Sequence, residues 1–321
     1  MNISFRRLTH LILLSILTVI LVAACNATNN TSMTRSKQTA ENCRIVQHVM
    51  GETCIPHNLQ RLVSLSEDIY INSLKLGFPS IATVSIPGFP YPKYLQGKVE
   101  QLESVGGYSA VSLEKILSLK PDLILARPEL GKVYQQLSNI APTVVLNQPF
   151  PPPNWKELLE ELAEVLDREE VGKQLINQYW QRVEKLKQSL GDRRKTMEVS
   201  IVLISSEHGI SAYGEKQFSG SVIKDIGLQR PQSQRGDFFY IDNISIEKLS
   251  DIDGDVLFVV SWGREEDSKA QEKLKQSPLW SQLEVVQNNK VYFVGMHWHN
   301  PDMFAINAVL DDLEKYLVNT P

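Results

Sequence analysis

From Arg61 onward, short aliphatic runs alternate with amphipathic stretches. RLVSLS (61–66) reads as a strand, and EDIYINSLKLG after it has helical periodicity and stops at Gly77. IATVS (81–85) is a second strand, followed by the turn-rich PGFPYPKYLQG (87–97). SLEKILSLK is a helix that Ser112 can cap, Pro121 blocks its continuation, and DLILA is a strand. A short helix over Lys132 to Ile140 leads to the strand TVVLN. This β-α-β-α order predicts a mostly parallel sheet covered by helices.

The rhythm breaks at PFPPP (149–153). Residues 155–190 are nearly unbroken helix-forming sequence, with a dip at Asp167 that predicts two consecutive helices. The second keeps apolar residues at Val171, Leu175, Ile176, Tyr179, Val183 and Leu186, the spacing of a buried stripe. Beyond Arg194 the alternation resumes. EVSIVLIS, ISAYG, VLFVVS and KVYFVG are strands, FSGSVIKDIGL and SIEKLSDI are helices, and a last helix runs from Asp302 to about Val318. SLEKILSLKPDLIL (112–125) and SIEKLSDIDGDVLF (245–258) share Ser, Glu and Lys in register before an aliphatic run. The predicted fold is therefore two doubly wound α/β lobes joined by one long helix, with the ligand cleft between the lobes.

The first residues pair a short basic region, MNISFRR, with an apolar run ending in LVAAC. That is an export signal, and Ala23-Ala24-Cys25 resembles a lipobox. Residues 1–24 are the signal peptide, Cys25 is the lipidation site, and 25–42 form a polar tether with almost nothing to bury. The N-terminal lobe then covers 43–153, the helical connector 154–194 and the C-terminal lobe 195–321. The formal charge is −4, and loss of Arg6 and Arg7 with the signal takes it to −6. An acidic chain without a basic cluster argues against nucleic acid. With Cys25 carrying lipid, Cys43 and Cys54 remain as an even pair around a Gly-containing turn, either joined in a disulfide, as an oxidising compartment permits, or left as two thiols.

Ligands of open α/β sheets bind outside the carboxyl ends of the strands. The residues following each predicted strand are aromatic and basic, a set suited to a bulky, polar, anionic small molecule. Arg127, Arg235 and Arg264 are the candidate anion contacts, and Tyr91, Tyr108, Tyr213, Trp262 and Trp298 the candidate packing contacts. Glu67, Asp68, Phe89, Tyr94, His208, Phe218, Phe238 and Tyr240 also follow strands or lie in their loops. His297 and His299 are spaced as a metal pair could be, but only Asp302 is near, so no metal ligands are assigned. There is no Gly-x-Ser-x-Gly elbow, Gly-rich phosphate loop or HExxH, so no catalytic residues are assigned.

The lipobox, CRIVQHVMGETCIPHNLQRLVSL, GGYSAVSLEKILSLKPDLIL, QFSGSVIKDIGL, ISIEKL, SPLWSQLEVVQNNKVYFV and VLDDLEKYLV together resemble the iron–siderophore substrate-binding proteins of ABC importers. The likeness spans about residues 43–319, and the Cys43 and Cys54 arrangement is most similar to cyanobacterial members. It implies a fold of two lobes on one long helix with small lobe motion. It implies a non-enzymatic monomer, anchored by lipid and facing the periplasm, with a ferric siderophore of hydroxamate or citrate type as cargo and no resident cofactor. It also implies that Glu114 and Glu247, one on each lobe, dock on the permease. The alternative is the same architecture with cobalamin, haem or a bare metal ion as cargo, for which His208 or His299 could serve as the haem's axial ligand.

Overall fold

The computed structural model describes residues 43–85, 91–100, 102–108, 110–148 and 154–319. The export signal, Cys25, the tether, Phe89 and the PFPPP break lie outside the described residues.

The described chain opens on a hairpin of β1 (Cys43–His48) and β2 (Gly51–Pro56), tied by a disulfide between Cys43 and Cys54. The hairpin leans on the first lobe, where the Thr53 hydroxyl donates to the Thr143 carbonyl at 2.8 Å. The first lobe's sheet holds β3 (Leu62–Ser64), β4 (Ser80–Thr83), β5 (Glu103–Ser104), β8 (Leu123–Ala126) and β9 (Thr143–Val145) in the order β5-β4-β3-β8-β9, all parallel. Two short strands, β6 (Gly106–Gly107) and β7 (Ala110–Val111), make a separate antiparallel hairpin. The second sheet is ordered β12-β11-β10-β13-β14, from β10 (Val199–Ser205), β11 (Gly209–Tyr213), β12 (Tyr240–Ile241), β13 (Val256–Val260) and β14 (Val291–Val294).

The repeated Ser-x-Glu-Lys stretches feed corresponding strands. β8 lies between β3 and β9, and β13 lies between β10 and β14, parallel to both neighbours in each case. The lobes differ in two ways. β11 returns antiparallel to β10 through a tight loop at Gly209, where φ is +64°, whereas β4 runs parallel to β3. The first repeat is an α-helix, Leu113–Ser118, with the Ser112 side chain accepting from the Lys115 amide. The second, Ile246–Ile252, is a 3₁₀ stretch kinked at Lys248, not the regular helix its sequence predicts. Ser245 does not cap it and bonds the Glu247 carboxylate instead.

Period-2 alternation sorts each strand's side chains between two cores. Leu62, Leu123, Leu125 and Val144 of the first sheet join Val199, Ile201, Phe258 and Val260 of the second in one cluster. The alternate residues Val63, Ile124 and Val145 face a separate core in the first lobe, and Val202, Leu257 and Val259 face another in the second. The shared cluster is closed by the connector, which consists of the helices Trp155–Val165 and Glu169–Leu190. Asp167 between them takes φ +58°, which breaks the helix where the sequence dips. The second helix has 22 residues, about 33 Å at 1.5 Å each. Tyr179, Val183 and Leu186 are its buried stripe, with Val171, Leu175 and Ile176 partly buried against the same cluster. Gly172 lets the two helices approach: a Cβ there would lie 2.9 Å from that of Ala163. No helix among the described residues is long and apolar enough to cross a membrane.

Candidate functional site

A cavity of about 450 Å³ opens between the lobes at the carboxyl ends of the strands. Its position follows from the topology: residues just beyond β3, β8, β10, β11 and β13 are delivered to one place from opposite sides. The first lobe contributes Glu67, Asp68, Tyr108 and Arg127. The second contributes His208, Tyr213, Phe218, Tyr240 and Trp262. The base is formed by His299, Asn300, Pro301 and Asp302, which cross from the second lobe towards the first.

On the first wall, the Tyr108 hydroxyl donates to Glu67 Oε2 at 2.9 Å. Burial raises the Glu67 pKa, the Tyr108 bond pulls it down, and the Asp68 charge pushes it up again. Arg127 lies between carboxylates, its Nη1 3.9 Å from Asp68 and its Nε 3.7 Å from Glu129. On the second wall, Trp262 meets His208 edge to face at 5.4 Å, and the Arg264 guanidinium lies 4.7 Å from the Trp262 ring centre. Arg264 also meets Glu207 at 3.3 Å.

At the base, the Tyr213 hydroxyl is 2.6 Å from Nδ1 of His299. Burial, and then the charge of His208, lower the His299 pKa to about 4, so its ring is neutral at pH 7. Asp302 is buried and caps the last α-helix, Met303–Leu313, with Oδ1 accepting from the Phe304 and Ala305 amides at 2.9 Å. Burial raises its pKa to about 6, against the lowering effect of three hydrogen bonds.

Tyr108, Arg127, Tyr213 and Trp262 of the sequence-predicted ligand set line this cavity. The other four do not. Tyr91 packs in a small satellite core beside Tyr70. The Arg235 guanidinium bonds the Arg230 carbonyl and Glu198, away from the cleft. Arg264 stands behind Trp262 and does not form the lining. Trp298 is fully buried, stacked on Phe258 at 4.1 Å with Nε1 donating to Asp312. It belongs to the core because the chain after β14 turns in a 3₁₀ stretch, Met296–Trp298, that tucks the ring under the sheet. His297 and His299 diverge, the first to Asp312 at 2.7 Å and the second to Tyr213. Among the described residues no cluster of three or more His, Cys, Asp or Glu could hold a metal. Glu114 and Glu247 are exposed and outside the cavity.

The lining also holds Gln148, Asn154, Trp155, Lys216 and Asn300, which strand-end reasoning does not reach. Gln148 and Trp155 flank the proline-rich break between lobe and connector. A large aromatic at the first helical position after such a break is the one available signal. The expected basic character is not what the cavity shows: Glu67, Asp68, Asp242 and Asp302 face Arg127 and Lys216.

The sequence profile of the family described as periplasmic binding protein matches residues 64–296. The chain is 31% identical over 320 residues to the probable siderophore-binding lipoprotein YfiY of Bacillus subtilis, covering 95% of this chain and 96% of the relative. It is 28% identical to the Fe(3+)-citrate-binding protein YfmC of the same organism, over 86% of each chain. Among solved structures, SirA of Staphylococcus aureus complexed with staphyloferrin B superposes with a TM-score of 0.73 at 25% identity, over 85% of this chain and 98% of that one.

Proposed function

The chain belongs to the periplasmic binding protein family, and from that premise we propose that it captures a ferric siderophore of hydroxamate or citrate type in the cleft between its lobes. Anchored by lipid on Cys25, it faces the periplasm and hands the complex to the permease of an ABC importer, docking through Glu114 and Glu247. It binds and releases its cargo without chemical conversion.

The observation that carries this reading is the cleft. It is lined from both lobes, has the size of small-molecule sites, and combines aromatic faces with polar groups. The relatives point the same way, since their names include a siderophore binder and a ferric citrate binder. The glutamates are supported by their placement. Each is exposed and each begins the repeated stretch of its own lobe, Glu114 in the first turn of a helix and Glu247 in the first turn of the 3₁₀ stretch. Charge pairs at such positions steer docking and fix register more than they add affinity.

Trp155 and Trp262 both line the cleft, so intrinsic fluorescence is the direct test. The soluble chain after Cys25 is titrated with ferric hydroxamate, ferric citrate, ferric catecholate, cobalamin and haemin, corrected for ligand absorbance. Saturable quenching by a ferric hydroxamate or citrate complex at micromolar or tighter affinity is expected. Response to cobalamin or haemin alone would keep the architecture and replace the cargo.

A further inference from the structure

The cleft's charges do not balance. Arg127 already has Asp68 and Glu129, and Lys216 meets Asp237 at 2.9 Å. Arg264, behind Trp262, is matched by Glu207. Glu67 has no cation within ion-pair distance among the described residues, and neither does Asp242, which accepts from the Ser211 hydroxyl at 2.7 Å. On the opposite wall His208 lies 3.9 Å from Glu207, beside the phenols of Tyr213 and Tyr240.

The hydrogen-bonding atoms point in the same direction. Gln148 is 4% exposed and lines the cavity, yet its Oε1 makes no hydrogen bond to protein. Glu67 Oε1 is buried and likewise without a partner, although Oε2 is held by Tyr108. Two residues of the cleft lining therefore each hold a buried acceptor with nothing to accept. A buried polar atom without a partner costs free energy, and more when it carries charge. Two donors, Trp155 Nε1 and Arg127 Nε, are also buried without a hydrogen bond. These suit oxygen atoms of a ligand. The two acceptors suit N–H or O–H donors, and the carboxylate of Glu67, without an ion-pair partner, suits a positive one best.

Building on the ferric-siderophore reading, we propose that the complex taken here carries a protonated amine that seats against Glu67 and Gln148, and that Glu67 selects for it. A ferric trihydroxamate with a free amine arm supplies every element. Its three hydroxamates neutralise the iron, its carbonyl oxygens accept from Trp155 and Arg127, and its ammonium meets Glu67. A ferric tricatecholate, with three negative charges, would face unmatched carboxylates in a site that spares it no unpaired cation. The burial that raises Glu67's pKa is the cost that a bound ammonium would relieve.

The test compares ferrioxamine B, a ferric trihydroxamate with a free ammonium, with its N-acetylated form, which loses that charge and gains a small acetyl group, a change in bulk for which Glu67→Gln controls. Affinity of the full soluble chain is read by fluorescence quenching and calorimetry, and Glu67→Gln is checked for folding by circular dichroism. Ferrioxamine B should bind about tenfold or more tighter than the acetylated form, as a charge-assisted hydrogen bond gives. In Glu67→Gln that ratio should fall to about one. An acetylated form that binds the parent as tightly overturns the inference. So does a ratio that survives Glu67→Gln, or tighter binding of ferric citrate or a ferric tricatecholate than of ferrioxamine B. In each of these cases the ferric-siderophore reading stands. If no ferric complex binds, that reading falls and the inference falls with it.

Discussion

The Tyr94 hydroxyl donates to Asp302 Oδ2 at 2.5 Å, joining a first-lobe residue to the base of the cleft, 208 positions away in sequence. Asn300 Nδ2 donates to the same hydroxyl at 3.0 Å, and the Met303 amide donates to Asn72 Oδ1 at 3.1 Å. The start of the last helix is thus fastened to the first lobe directly beneath the ligand site. Tyr94→Phe removes the central bond and leaves a buried carboxylate oxygen without it. A loss of about 1–3 kcal/mol is expected, read as a lower urea midpoint with an unchanged slope. An unchanged midpoint would mean that this bond adds nothing to the joint between the lobes.

Asp302 and His299 make opposite contributions to stability as pH changes. Burial raises Asp302 from 3.8 to about 6, so the native state keeps a proton that the unfolded chain has released. Its contribution is present below about pH 4 and is lost as pH rises through 6. Burial lowers His299 from 6.5 to about 4, so the unfolded chain takes up a proton first as pH falls. Its contribution is present above 6.5 and is lost as pH falls through 4. Each shift corresponds to roughly 3 kcal/mol, and across pH 4–6 the two slopes oppose. Asp302→Asn, which keeps a capping side chain, should therefore make stability rise more steeply with pH than in the parent. His299→Gln should make it rise less steeply or fall. Urea midpoints at pH 4.5 and 6.0 decide this, and parallel slopes in all three proteins would contradict it.

The same region shows where sequence reading stops. The two-lobe plan was legible because period-2 strands, a 22-residue amphipathic helix and a repeated Ser-x-Glu-Lys stretch are local patterns. Arg127, Tyr213 and Trp262 were legible because they end or directly follow a strand that reaches the cleft. Trp298 also follows a strand, β14, but is turned inward by three residues of 3₁₀ backbone, a difference that no spacing announces. Arg235 is on a loop that leads back to Glu198. Gln148, Trp155 and Asn300 reach the cavity because their segments pass between lobes, and which segments do so is a property of the assembled pair. Glu67 and Asp68 were legible as strand-end residues but not as ligand contacts, because they open a helix, where acids favour the helix dipole and call for no further explanation.

Trp262 and Trp298 should separate binding from stability. Trp298→Ala empties a fully buried site stacked on Phe258 and is expected to cost about 3–5 kcal/mol. Trp262→Ala removes a partly exposed cleft wall, and its expected effect is at least about tenfold weaker ligand binding with a much smaller change in melting temperature. Thermal melts and ligand titrations of the two variants give the comparison. A large stability loss with unchanged affinity in Trp262→Ala would take that residue out of the site.

The Cys43–Cys54 disulfide closes a short loop, with the cysteines 11 positions apart. In the chain-entropy view such a closure stabilises by roughly 2–3 kcal/mol. The hairpin it ties touches the first lobe at β9 and contributes nothing to the cleft lining. Replacing both cysteines by alanine should lower the urea midpoint and leave ligand affinity within about twofold. A matching loss of affinity would mean that the hairpin orders the site from a distance.

Docking can be separated from binding because the two glutamates proposed for it stand outside the cavity. Glu114 lies in the first turn of the helix Leu113–Ser118, and Glu247 in the first turn of Ile246–Ile252, where its own amide and Ser245 lower its pKa. Both are exposed, so reversing their charge exposes no core and should leave the melting temperature little changed. Glu114→Lys combined with Glu247→Lys should leave ferric-siderophore affinity unchanged and abolish uptake of the labelled complex by cells that depend on this chain. Each single variant should show an intermediate loss, because one lobe still docks. Uptake unaffected by the double variant would remove the permease role from these residues. A fall in affinity instead would mean that the repeated stretches act on the cleft.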